Sequence, residues 1–162
     1  MINTTLCYIE QNGKYLLLHR VKKENDVNRD KWIGIGGKFF ENESPEECNA
    51  REVLEETGLT LKNARYRGIV TFVCEGFEGE YMHLFTADKF EGNLIDCDEG
   101  ELCWVDKKEV LKLPIWVGDK IFLDLINNPL QPFFSLKLVY RGNTLTQASL
   151  DGNTLDLSAV LS

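Results

Sequence analysis

The chain has no run approaching the roughly 18–20 apolar residues that a membrane-spanning helix needs. Its first residues, Met1 to Glu10, lack the basic start and apolar core of a secretory leader, so a cytoplasmic location is the expectation. Histidine is scarce, with two residues (His19 and His83), and the five cysteines (Cys7, Cys48, Cys74, Cys97, Cys103) include no C-x-x-C pair. That spacing argues against a zinc site and a disulfide framework; small buried thiols in a reducing compartment account for them. Positive charge is also short, 18 Lys and Arg against 26 Asp and Glu, for a net charge of −8. Such a chain repels a nucleic-acid backbone, and no basic stripe offsets the repulsion, which excludes DNA and RNA polymers as partners. A small phosphorylated ligand survives the exclusion, because a bound divalent cation reverses the local field.

What is present suits one soluble domain. The 162 residues are 43% hydrophobic and 27% charged, which is enough to build a full core. Thr4 to Glu10 and Lys14 to Arg20 read as strands joined by the turn Gln11-Asn12-Gly13. Val21 to Lys31 is polar and reads as a loop, and Trp32 to Gly37 as a strand end running into glycines. Arg65 to Cys74, Tyr81 to Lys89 and Glu101 to Val105 read as further strands. A helix from about Val117 to Asn127 would bury Ile121, Phe122, Leu125 and Ile126, with Pro129 and Pro132 ending it. Phe133 to Leu150 alternates around Arg141-Gly142-Asn143 as a C-terminal β-hairpin. Strands interleaved with separated helices predict an α/β domain on a mixed sheet. Its core would lie at about residues 3–128, with the hairpin and tail at about 129–162.

The most informative stretch is Gly37 to Leu59, which fits G-x5-E-x7-R-E-U-x-E-E-x-G-U, where U is aliphatic, at every fixed position. Ser44 as N-cap, Pro45 at N1 and Glu47 at N3 make a capping box, and Gly58 suits the C′ position. Ala50, Val53, Leu54 and Thr57 recur at helical spacing and should face the core. Glu52, Glu55 and Glu56 stand at i, i+3 and i+4, so their Cβ atoms lie roughly 5–6 Å apart. Three like charges near the negative end of a helix dipole are unfavourable without a cation. Oxygen-only ligands point to Mg²⁺, with Mn²⁺ as the alternative. Arg51 can pair with Glu55 and orient a carboxylate. Gly34, Gly36 and Gly37 let backbone approach a metal or phosphate, or simply make a tight turn. Lys38 is either solvated or touches a phosphate oxygen.

This motif is the Nudix box, and the chain resembles Nudix hydrolases, more narrowly the MutT-type nucleoside triphosphate diphosphatases, from about Leu6 to Ile126. The resemblance implies an α/β/α sandwich around a mixed sheet. It also implies hydrolysis of a nucleoside diphosphate linked to another group by a metal-activated water. Carried over residue by residue, it makes Glu55 and Glu56 metal ligands, Glu52 a ligand or the base, and the Gly36 carbonyl a further ligand. It makes Glu99 an additional ligand or base, and Arg20 a phosphate contact. The segment Leu113 to Lys120 resembles the base-recognition region of oxidised-purine triphosphatases, which implies Trp116 for stacking and Asp119 for the base edge.

Two positions depart from that pattern: Gly118 stands where an acid is frequent, and Ile33 where a polar residue meets the base. The implied substrate is a nucleoside triphosphate, with an oxidised purine such as 8-oxo-dGTP favoured and monophosphate and pyrophosphate as products. ADP-ribose or a nucleotide sugar is the alternative, and a non-catalytic nucleotide-binding module is a second. The absence of proline between Pro45 and Pro114, with Tyr66 and Tyr81 in strands, argues against the ADP-ribose and dinucleoside polyphosphate branches. The sequence leaves the oligomeric state open.

Overall fold

The computed structural model describes residues 1–161; Ser162, the last position of the expected tail, lies outside the described residues. Strands β1 (Ile2–Gln11) and β2 (Lys14–His19) form the first hairpin. Its turn residues Asn12 and Gly13 have φ of 51° and 75°, the left-handed pair that a two-residue hairpin requires. After β3 (Trp32–Ile33) comes α1 (Pro45–Thr57), then β4 (Thr60–Leu61), β5 (Arg65–Cys74), β6 (Glu80–Ala87), β7 (Phe90–Glu91) and β8 (Glu101–Asp106). The chain continues through α2 (Lys107–Val110), α3 (Asp119–Ile126), β9 (Phe134–Arg141), β10 (Thr144–Leu150), β11 (Asn153–Thr154) and α4 (Leu157–Leu161).

Nine strands form one mixed sheet in the order β11-β10-β9-β5-β6-β1-β2, with β3 and β8 both pairing with β2. The β1–β6 and β5–β9 pairs are parallel. Alternation along each strand sorts the core into two clusters. Leu6, Tyr8 and Leu17 pack with Phe72 and with Phe122, Leu123 and Ile126 of α3. Cys7, Ile9 and Leu18 pack with Phe85 and with Val53 of α1. The two long helices therefore cover opposite faces, which is the expected α/β/α layering.

Both ends of α1 are built as the sequence predicts. Ser44 Oγ accepts from the Glu47 amide at 3.1 Å, and Glu47 Oε1 accepts from the Ser44 amide at 3.0 Å. Gly58 closes the helix at φ 82°. The buried face differs. Ala50 and Leu54 point to solvent, whereas Cys48, Asn49, Val53, Glu56 and Thr57 face inward. Val53 and Thr57 face inward as expected, but Ala50 and Leu54 do not, because the helix also turns Glu52 and Glu56 inward. In α3 the shift is smaller: Leu123 is buried, while Ile121 and Leu125 are half-buried.

The C-terminal hairpin forms, but it is a wall of the main sheet rather than an appendage. β9 runs parallel to β5 over Gly68–Cys74, and Leu136, Leu138 and Tyr140 are buried in the cluster that holds α3. Leu138→Ala should therefore cost about 2–5 kcal/mol, as for other buried leucines. Urea unfolding followed by circular dichroism measures it. A loss below about 0.5 kcal/mol would mark residues beyond α3 as dispensable to the core.

Candidate active site

A cleft of about 420 Å³ opens on the face of the sheet that carries α3, and it has two chemically distinct ends. Glu52, Glu56 and Glu99 line one end with Arg20, Lys23 and the Gly36-Gly37 backbone. Ile33, Phe72, Met82, Trp116, Asp119 and Asn28 line the other.

The acidic end is set by how the glycine segment lies against β1. Thr5 N–H bonds to the Gly37 carbonyl at 2.9 Å and Cys7 N–H to the Ile35 carbonyl at 2.6 Å. Alternation leaves the carbonyl of Gly36 between them without such a partner among the described residues, and Gly36 lines the cleft. The glycines are needed for packing. A Cβ at Gly36 would fall 1.7 Å from the Thr5 carbonyl oxygen, and one at Gly37 would fall 2.5 Å from Glu52 Cδ. Gly37 thus gives Glu52 its place against the loop backbone.

Arg51 organises the carboxylates of α1. Its Nη1 donates to Glu52 Oε1 at 2.9 Å and Glu55 Oε2 at 3.0 Å, and its Nη2 to the Lys38 carbonyl at 2.9 Å. Nε and Nη2 grip Glu43 at 2.7 and 2.9 Å, and the guanidinium lies 3.5 Å over the Phe40 ring. Glu43, a fixed position of the motif, is thus a partner of Arg51; sequence reasoning gave it no role, although its place in the pattern was the signal. Glu55 is mostly exposed, held by Arg51, and is not part of the cleft wall.

Glu56 is buried, and its Oε2 has no hydrogen-bond partner among the described residues. Burial and the facing Glu99 push its carboxyl up to about 9. Burial also raises Glu52, against the pull of Arg51. Glu99 is the opposite case: burial works to raise it, but Lys23 at 2.8 Å and Arg20 at 2.6 Å hold it low. Among the described residues no three acidic, His or Cys groups already converge on one point. An orphaned buried oxygen, neighbouring carboxylates and a free backbone carbonyl nevertheless fit a hard divalent cation.

The basic groups are partly committed. Arg20 is clamped between Asp26 at 2.7 Å and Glu99, so it reaches the cleft already paired. Lys38 lies exposed at the rim. Lys23 and Asp26 fall in a stretch without period, and nothing in the sequence singles them out.

Ile33, Trp116 and Asp119 lie together at the apolar end of the cleft. Trp116 is 4% exposed. Its ring packs edge-on against Phe72 and Tyr140 at 5.1 and 4.7 Å, and its Nε1 donates to Asn28 Oδ1 at 2.7 Å. Lys31 Nζ lies 4.4 Å from the ring centroid, so Trp116 forms a wall of the cleft with one face capped. Asp119 is buried, which raises its carboxyl well above the usual range despite the nearby Lys31. Gly118 has a steric reason: a Cβ there would fall 2.6 Å from both Leu138 Cδ1 and the Tyr140 hydroxyl oxygen. That hydroxyl accepts the Gly118 amide at 2.7 Å. Phe72 and Met82 could have been found as the inward parity of β5 and β6.

Residues 2–126 match the model of the NUDIX domain. An oxidized purine nucleoside triphosphate hydrolase of Danio rerio is 34% identical over 124 residues, covering 75% of this chain and 77% of the relative. An uncharacterized Nudix hydrolase of Bacillus subtilis is 32% identical over 129 residues, with the same coverage of 75% and 77%. The crystal structure of a MutT protein from Bacillus halodurans aligns with a TM-score of 0.82 at 30% identity, covering 93% of this chain and 98% of that one.

Two outcomes follow from the geometry. Gly37→Ala should displace Glu52 and lower turnover by about 100-fold, the scale of an ångström-sized misplacement, with far-UV circular dichroism unchanged. The raised Glu56 carboxyl sets a pH dependence in metal-free protein. Its folded value is raised from 4.5 to about 9, so the folded state holds the proton more tightly than the unfolded one. The resulting stability is present below about pH 4.5 and is lost as pH rises to about 9, with a slope of up to about 1.4 kcal/mol per pH unit. Urea unfolding in chelator across that window measures it. Glu56→Gln should flatten the slope, and equal slopes in the two proteins would rule the assignment out.

Proposed function

Because this chain belongs to the Nudix family of hydrolases, we propose that it cleaves a purine nucleoside triphosphate, oxidised purines preferred, to the monophosphate and pyrophosphate. The observation that carries this reading is the continuity of the cleft. The acid end and the aromatic end share one space of about 420 Å³, so a polyphosphate and a base fit in it together. An acid end alone would serve any diphosphate. Relatives of this chain include an enzyme named for oxidized purine nucleoside triphosphates.

Mg²⁺, with Mn²⁺ as the alternative, is the metal we assign, held by Glu56, Glu52 and the Gly36 carbonyl, with Glu55 a further ligand once it turns away from Arg51. Bound there, it would neutralise diphosphate oxygens and acidify a water. The chain's own groups do the rest. Arg51 fixes the orientation of Glu52 through the Nη1–Oε1 bond of 2.9 Å. Glu52 or Glu99 takes the proton of the attacking water; Glu99, held low by Lys23 and Arg20, is the weaker base of the two, since burial raises Glu52. Lys38, free at the rim, meets a phosphate oxygen, and Arg20 adds its field from behind Glu99. Ile33 and Trp116 wall the base, and stacking on the capped face of Trp116 requires Lys31 to withdraw. Asp119, kept neutral by burial, donates a hydrogen bond to an acceptor on the base edge.

Residues from β1 through Tyr140 build this one cleft and its supports, which favours a single catalytic domain over a core with an accessory tail.

Two measurements test the reading. Glu56→Gln should lower kcat by at least about 100-fold, the scale of losing one preorganised electrostatic contact; near-native turnover in saturating Mg²⁺ would remove Glu56 from the metal site. A screen of normal and oxidised nucleoside triphosphates, ADP-ribose and nucleotide sugars, with product identification, tests the substrate. The expected result is Mg²⁺-dependent pyrophosphate release that is greatest with a purine triphosphate. Preference for an ADP-sugar over every triphosphate would overturn it.

A further inference from the structure

Among the acids that line the cleft, Glu80 is a half-buried carboxylate with no hydrogen bond or ion pair to another described residue. Glu52 is bonded to Arg51, Glu99 to Arg20 and Lys23, and Glu56 faces Glu99. Asp119 lines the cleft at 4% exposure, where burial raises its carboxyl. Glu80 is half-buried at the start of β6, and among the described residues its carboxylate has neither ion pair nor hydrogen bond. Leaving a carboxylate half out of water without a partner is unfavourable, and a ligand with donors is what relieves it.

The sheet places Glu80 at the base end. It pairs across strands with Phe72, whose ring packs 5.1 Å from that of Trp116. Strand parity puts it on the same face as Met82, which also lines the cleft. Burial raises its carboxyl, while Lys38 and Arg20 work against that rise.

Resting on the triphosphate reading above, we propose that Glu80 is a specificity-determining residue whose two oxygens accept the adjacent ring N–H and amino N–H of a guanine-type purine edge. The choice of edge follows from hydrogen-bond chemistry. An ionised carboxylate accepts only, through two oxygens side by side. Guanine presents N1–H next to its 2-amino group, two parallel donors. Adenine and cytosine set an amino donor beside a ring acceptor, which meets the second oxygen with repulsion. Uracil and thymine flank one N–H with two carbonyls. A neutral Asp119 in the same cleft complements this, since it can donate to the carbonyl that adjoins N1–H on the same edge.

The experiment compares dGTP with dITP, which keeps N1–H but lacks the 2-amino group, in wild type, Glu80→Gln and Glu80→Ala. Wild type should favour dGTP over dITP. Both variants should lose about 10-fold or more in kcat/KM for dGTP, through KM, with kcat within about twofold. The dGTP/dITP ratio should fall close to one in Glu80→Ala. A variant that is merely damaged would lose both substrates equally and would overturn the assignment, as would a wild type that treats the two alike. An unchanged ratio in Glu80→Ala, with purine triphosphates still cleaved, overturns Glu80 alone. A wild type that cleaves no purine triphosphate overturns the nucleotide reading and this assignment with it.

Discussion

Helix α1 carries Glu52, Glu55 and Glu56 within five residues of one another, with Glu43 just before its cap, and Arg51 is the guanidinium that lets them coexist. Its donors reach Glu43, Glu52, Glu55 and the Lys38 carbonyl, which ties the helix to the glycine segment that β1 supports. Without that charge the carboxylates would repel one another beside a helix C-terminus that already disfavours anions. With it, Glu52 is oriented and Glu55 is drawn to the rim, while Glu56, which Arg51 does not touch, is left buried with an orphaned oxygen. The paired acids and the unpaired one thus follow from the reach of one side chain. The Arg51–Glu43 grip is bidentate and lies under Phe40, which gives it a rigidity that a lysine could not supply.

Legibility in the sequence followed the range of the interactions. Ser44, Glu47 and Gly58 act on backbone within a few residues, and the helix starts and stops where they say. The turn at Asn12-Gly13 and the strand from Arg65 to Cys74 are local in the same sense. The inward face of α1 was only partly legible: Val53 and Thr57 face inward as their spacing implies, but Ala50 and Leu54 do not, because the apolar period marks the whole core-facing stripe only when burial is the sole demand on a helix. Here the sheet side must also present Glu52 and Glu56, and Leu54 goes to solvent in exchange. The glycines illustrate the same limit. Their presence was visible, but the reason for them, the Thr5 carbonyl and the Glu52 side chain, is brought in by tertiary packing.

The charge distribution explains how an acidic chain can receive a polyphosphate. The cations near the cleft are not spread along it. Arg20 and Lys23 are bound to Asp26 and Glu99, and Lys38 stands free at the rim. On the triphosphate reading proposed above, the ligand would meet one lysine unpaired among the described residues and a set of carboxylates, which favours entry with a divalent ion over entry as a bare anion. The clamp on Arg20 keeps its charge in place against burial, since Asp26 and Glu99 outweigh the desolvation. It acts as a fixed field behind the acids rather than as a hand that must find its ligand.

The base end obeys a different logic, and its dependence on the hairpin is why it resists a motif reading. Gly118 looks like a lost acid when read along the chain. In the fold, Leu138 and the Tyr140 hydroxyl fill the space where any side chain at that position would begin. Tyr140 then holds the Gly118 amide and packs on Trp116, so a residue beyond the matched domain sets the entry to α3 and the seat of Asp119. The acid end takes Glu52 and Glu56 from a contiguous stretch of 23 positions, Gly37 to Leu59, and adds Arg20, Lys23, Gly36 and Glu99 from outside it, whereas the apolar end is assembled from β3, β5, β6, the α3 entry and β9. Substitutions at the second set can move specificity while the first keeps its chemistry. If the apolar end receives a base, as proposed above, the chain can retain every fixed position of its motif and still set that choice through residues that the motif does not contain.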